Sequence, residues 1–196
     1  MTERMTSGWR AISLIVAVLV VVGCAQPSAA GEMVVDLGPR DGLALRVPEG
    51  WVMERGDVKD APLVTLTFRP EVGDEFSVLL TPIRPQPGAD PDFGSPAGVY
   101  AIVEAAAQDA AVRAVESELE IRPFEGDRVG FYFWATDRDL VGKSRIPPGE
   151  YLHLTQGAVM IGDILCAFTI LTNDRPSGVI DSAMMMLRTA AHRTGA

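Results

Sequence analysis

Two apolar runs, 150–161 and 164–172, are separated by nothing but Gly162-Asp163, and this arrangement constrains the chain more than any other feature. A Gly-Asp pair supplies the positive φ angles of a two-residue turn, so the runs are expected to form a tight antiparallel hairpin. The second run is apolar on both sides. Ile164, Cys166, Phe168 and Ile170 alternate with Leu165, Ala167 and Leu171. A strand of that kind has no face to give to water, and it is stable only inside a sheet covered on both faces.

The rest of the chain supplies a sheet and its cover. Strands are expected at 33–37, 43–47 and 51–54. Clear alternations at 63–68 and 76–83 flank a hairpin loop at 71–74. A proline-rich stretch at 84–96 then gives way to helical spacing. Ser95 is a suitable N-cap and Pro96 a suitable first helical residue, and Val99, Ile102, Val103, Ala106 and Ala110 form one apolar stripe. Strands return at 119–122 and 128–136, followed by a long loop at 137–149, the hairpin and an amphipathic helix at 177–192. Consecutive strands with one helix in the middle and one at the end argue against a doubly wound parallel sheet. The expected class is α+β: an antiparallel sheet of six or seven strands with helices on both faces, an α/β/α sandwich.

The N-terminus carries a different signal. Residues 11–22 are apolar except for Ser13, too short a run to span a bilayer, which takes about 20 residues. Arg4 and Arg10 precede it, giving the positive n-region and apolar core of a secretory signal. Val21-Val22-Gly23-Cys24 closes it and resembles the lipobox of bacterial lipoproteins. That resemblance implies cleavage between Gly23 and Cys24, a lipid on Cys24, and residence in the cell envelope facing the periplasm or the exterior. The expected division is therefore a signal peptide at 1–23, the lipidated cysteine and a flexible tether at 24–32, and a single domain at 33–196. With Cys24 lipidated, Cys166 is the only other cysteine, so no intramolecular disulfide can form.

Charge excludes one class of partner. The chain carries a net charge of −9, and removing 1–23, where Arg4 and Arg10 outweigh Glu3, leaves −10. Lysine occurs only at Lys59 and Lys143 and no basic stripe exists, so the footprint of nucleic-acid binding is missing. An acidic surface is also repelled by anionic headgroups, so membrane attachment is expected to rest on the lipid.

The segment Leu45-Arg46-Val47-Pro48-Glu49-Gly50-Trp51, the hairpin around Gly162-Asp163 and the helix at 183–190, taken in this order, resemble the PsbP-like fold. Extrinsic photosystem II proteins, a nuclear-import factor that binds the GTPase Ran and many bacterial envelope lipoproteins share it. The resemblance runs over roughly 33–192 and implies a binding or assembly factor rather than a catalyst. It carries no catalytic residue onto this chain.

The side chains that carry chemistry fit that implication. His153 and His192 are the only histidines, too far apart for metal-ligand spacing, and no Cys/His cluster exists. Nucleophile elbows, phosphate-cradling glycine loops and zinc-protease motifs are missing. A His153–Cys166 pair is conceivable only if their strands align. Glu116, Glu118 and Glu120 read as the solvated edge of a strand. Met184-Met185-Met186 cannot converge on one ion, because successive helical residues point about 100° apart. No metal or cofactor is expected.

The remaining candidate is polar and aromatic. Tyr132 and Trp134 share one face of their strand, and Tyr151 and His153 share one face of the next. Pairing of those strands would gather the four into one patch suited to partner recognition. The expected function is a lipid-anchored, non-enzymatic module that binds or helps assemble another envelope protein. The alternative is a carrier with a small apolar ligand between sheet and helix.

Overall fold

The computed structural model describes residues 26–27, 31–38, 41–57, 63–84, 94–174 and 178–194. The signal segment 1–23, with Gly23, and the lipidation residue Cys24 lie outside the described residues, as does most of the proline-rich stretch. The strands are β1 (Gln26–Pro27), β2 (Gly31–Gly38), β3 (Asp41–Val47), β4 (Trp51–Asp57), β5 (Val64–Pro70) and β6 (Phe76–Ile83), then β7 (Arg122–Pro123), β8 (Gly130–Thr136), β9 (His153–Ile161), β10 (Ile164–Thr172) and β11 (Ala191–Thr194). The helices are α1 (Pro96–Ala111), between β6 and β7, and α2 (Gly178–Thr189), between β10 and β11.

All pairings are antiparallel. The main sheet has eight strands in the order β1-β4-β5-β6-β10-β9-β8-β7, and a second sheet has three in the order β11-β3-β2. The expected hairpin is present. Ile161 pairs with Ile164 across a turn in which Gly162 takes φ 64°, and β10 lies in the interior of the sheet as its two apolar faces require. Ile164, Cys166, Phe168 and Ile170 enter one core, together with Leu43, Leu45 and Val47 of β3 and Ala183, Met184, Met186 and Leu187 of α2. Leu165 and Leu171 enter a second core with Val99, Val103, Ala107 and Ala110 of α1.

The start of α1 and the end of α2 have visible causes. Ser95 Oγ accepts the Gly98 N–H at 3.0 Å, and Pro96 stands at the first turn, where its missing N–H costs nothing. The C-terminal helix is shorter than its apolar periodicity, which reaches His192. Arg128, from the β7–β8 turn, donates from Nη2 to the carbonyls of Arg188 at 2.9 Å and Ala190 at 2.5 Å. This fork satisfies carbonyls left open at the helix end. The chain then leaves the helix as β11 and pairs with β3.

Three further differences follow from long-range pairing. The strands near 33–47 were expected in the main sheet; with β11 they make their own. The expected strand at 119–122 survives only as Arg122–Pro123; Glu116 and Glu118 lie in bends and Glu120 in irregular backbone, so the three do not form a strand edge. Of the expected tether, Gln26–Pro27 pairs with Val52 and Met53 of β4, and Gly31 and Glu32 belong to β2. The outer edge of β4 offers unpaired backbone groups, and the segment supplies partners for two residues of it. Among the described residues, no helix is long and apolar enough to cross a membrane.

Candidate functional site

Register fixes which side chains stand together. Along the face covered by α2 and the small sheet, one row runs Met53, Phe68, Val78, Ile170, Thr155, Trp134 across β4-β5-β6-β10-β9-β8. The next runs Leu66, Leu80, Phe168, Gly157, Tyr132, and a third runs Phe76, Thr172, His153, Thr136. Each row is mainly apolar as far as β6 or β10. It turns polar, small or aromatic at β9 and β8. The buried part of α2 packs on β10 and β3, leaving Tyr132, Trp134, Thr136 and His153 half-buried at the β8 margin.

Three of the four expected patch residues, Tyr132, Trp134 and His153, therefore share this face. Tyr151 does not. It precedes β9 in irregular backbone, is buried in the opposite core with Leu154 and Phe133, and donates its hydroxyl to Asp74 Oδ1 at 2.8 Å. Asp74 also accepts the Gly149 N–H at 2.7 Å, so the β5–β6 loop holds the end of the 137–149 loop in place. Burial, then the hydrogen bond to Asp74, pushes the Tyr151 hydroxyl well above its usual value. Tyr151 is a structural tyrosine, and the four-residue patch is corrected to a strip in which Thr136 takes its place.

Thr136 is held by a residue the sequence reading assigned elsewhere. Glu116 accepts the Thr136 N–H through Oε2 and the Thr136 hydroxyl through Oε1, both at 2.8 Å. Its carboxylate thus occupies the position of a neighbouring strand at the open edge of β8. With its proton committed to Glu116, the Thr136 hydroxyl presents a lone pair to His153 Nδ1, 3.4 Å away. Glu116, Thr136 and His153 form a polar line beside two aromatic rings. It contains no thiol, and its hydroxyl proton is directed at the Glu116 carboxylate.

The conceivable His153–Cys166 pair is not formed. Their strands are neighbours, but His153 pairs with Thr172 and Cys166 with Val159, six residues further along β9 and about 20 Å away. Cys166 is fully buried, and burial pushes its thiol up to about 12. Among the described residues no group of three or more His, Cys, Asp and Glu could hold a metal ion. Met184 and Met186 are buried, whereas Met185 is exposed, so the methionine triplet diverges as helical geometry demands.

The structure also reveals a polar cluster with no local signature. His192 of β11 places Nε2 2.5 Å from Asp41 Oδ1 and Nδ1 2.5 Å from Asp163 Oδ1, and Arg84 pairs with Asp41 at 2.5 Å. It ties the last strand to β3, to the β9–β10 turn and to the end of β6. Asp41, Arg84, Asp163 and His192 are far apart in sequence, and His192 looks helical by pattern, so nothing local announces the cluster.

No known family matches the sequence, and no curated protein matches it significantly. Among solved structures, the chain is similar to LpqN, described as involved in cell envelope biogenesis of Mycobacterium tuberculosis. The two share 13% identity, the match covers 83% of this chain and 91% of that one, and the TM-score is 0.45.

Proposed function

We propose that this chain is a lipid-anchored, extracytoplasmic and non-catalytic module. In this reading it binds another envelope protein through the strip Tyr132, Trp134, Thr136 and His153, and the lipid on Cys24 confines it to the membrane surface. One observation carries the reading: rows of side chains that are mainly apolar core as far as β10 end, on β9 and β8, in half-buried aromatic and polar groups. Tyr and Trp with polar tips are the residue types that dominate protein-binding hot spots. The same reading takes α1 and α2 as the outer layers of a PsbP-like α/β/α sandwich.

At the strip itself, packing leaves no pocket for an apolar ligand at Gly157 or Gly130. A Cβ on Gly157 would lie 2.3 Å from Phe131 O, and one on Gly130 would lie 2.9 Å from Phe124 Cβ. The sheet beside the strip has no room there for a methyl group, let alone a ligand.

The test is photo-crosslinking in intact cells, with a benzoylphenylalanine at position 134 of the full chain and a control probe at exposed Gln108 of α1. A discrete adduct at 134 that is missing at 108 and lost on His153→Ala is expected. Identical adducts at both positions would refute the strip as the binding surface.

A further inference from the structure

The pairing of β1 with β4 has a consequence for how the domain meets the membrane, given the lipid anchor of the proposed function. Gln26 pairs with Met53, and Pro27 with Val52. Cys24 is two residues before Gln26. Whatever path those residues take, their reach is at most about 7 Å. A lipid on Cys24 therefore enters the bilayer beside the β4 edge of the main sheet, and not at the end of a long free tether.

The sheet order supplies the second half of the argument. From β4 the neighbours run β5, β6, β10, β9 and β8, five spacings in all. At about 4.8 Å each, these place β8 roughly 24 Å from the anchored edge. Tyr132, Trp134 and Thr136 lie on β8, with Glu116 bound at its outer side. The loop that follows β8 is held to α1's end by Arg138 N–H on Arg113 O at 3.0 Å, and by Arg138 Nη2 on Ala114 O at 2.6 Å.

We infer that β1 fixes the orientation of the domain on the bilayer: the β4 edge faces the lipid surface, and the β8 strip is presented at the membrane-distal edge. The partner of the strip is thus a protein reaching in from the aqueous envelope space rather than one lying flat in the same leaflet. A flexible tether of the same length would have left every edge equally free to meet the membrane. Two hydrogen-bonded residues remove that freedom.

The experiment uses the full chain, processed in cells and reconstituted into phosphatidylethanolamine–phosphatidylglycerol vesicles containing a rhodamine-labelled lipid. Donor dyes are placed on Arg69→Cys, in β5 opposite Val52, and on Ser144→Cys, in the loop after β8; both residues are exposed, and Cys166 is fully buried. Energy transfer to the lipid from position 69 should exceed that from position 144 by roughly twofold or more, given the ~19 Å that four strand spacings put between β5 and β8. Inserting about ten Gly-Ser residues between Cys24 and Gln26 should abolish the difference. Equal or reversed transfer from membrane-bound chain overturns the orientation and leaves the anchor standing, as does a difference that survives the insertion. Mass spectrometry showing no lipid on Cys24 overturns the anchor, and the orientation with it.

Discussion

Trp51 and Trp134 stand on the same face of one sheet, near its opposite edges, in different surroundings. Trp51 opens β4, is 7% exposed and packs against Phe76 with ring centroids 4.6 Å apart. Trp134 has Thr155 across from it and Tyr132 and Thr136 beside it on its strand, and stays half-buried. The first is part of the core that Phe68, Val78 and Ile170 build with the small sheet and α2. The second is half-buried at the β8 end of that face. One fold thus builds its interior and its candidate binding margin from the same residue type, and the cover decides which is which.

The largest expected effects separate these two tryptophans. Trp51→Ala empties a packed core position and should cost about 3–5 kcal/mol in urea denaturation. Trp134→Ala should cost under about 1 kcal/mol while weakening partner binding by about 2 kcal/mol or more, roughly 30-fold. Comparable stability losses from the two would make Trp134 a core residue and remove the basis of the proposed site.

Gly157 sharpens the boundary between the two halves. It faces Tyr132 across the β8–β9 pair and Phe168 across the β9–β10 pair, and an added Cβ would lie 2.7 Å from Tyr132 Cβ and 2.8 Å from Phe168 Cζ. Gly157→Ala should therefore destabilise by about 2–3 kcal/mol, by overpacking and not by loss of a contact. A neutral Gly157→Ala in thermal unfolding would mean that β8 can move away from β9, and the strip would lose its rigid floor.

Much of this architecture was legible in the sequence where the signal is local. The Gly162-Asp163 turn, the two-sided apolar pattern of β10 and the Ser95-Pro96 helix start each rest on a few adjacent residues. What was illegible depends on contacts between distant ones. Alternation at 43–47 says which residues face a core, but not that β3 pairs with β2 and β11 in a separate sheet. Helical periodicity continues to His192, and only Arg128, some sixty residues upstream, ends the helix earlier. Tyr151 has the same parity as His153, yet the irregular backbone before β9 turns it to the opposite core. Glu116 looks like one of three solvated carboxylates until β8 presents an N–H and a hydroxyl to it.

The two cores also carry a pH signature. Burial holds the Cys166 thiol near 12 against an ordinary 9.0, and burial with the Asp74 hydrogen bond raises Tyr151 as well. Both groups keep protons in the folded state that the unfolded chain releases. Stability is therefore full below pH 9 and falls as pH rises, by up to about 1.4 kcal/mol per pH unit from the thiol, or about 2 kcal/mol between pH 9 and 11 once its gradual onset is allowed for. Cys166→Ala should reduce that slope most between pH 9 and 10, where the thiol outweighs Tyr151. An unchanged slope would show that other groups control the alkaline limit.

Tyr151→Phe is the smallest test and the one that bears most directly on the corrected patch. The substitution keeps the ring in the core with Leu154 and Phe133 and removes only the hydroxyl donated to Asp74. Asp74 retains the Gly149 N–H, so the loss should be about 1.5 kcal/mol, typical of a hydrogen bond to a charged acceptor. Because Tyr151 lies on the face opposite Trp134, crosslinking through position 134 should be unaffected. If Tyr151→Phe abolished that adduct without a matching loss of stability, the two faces would be coupled through β9. The binding surface would then extend around the end of the sheet to the loop that Asp74 holds.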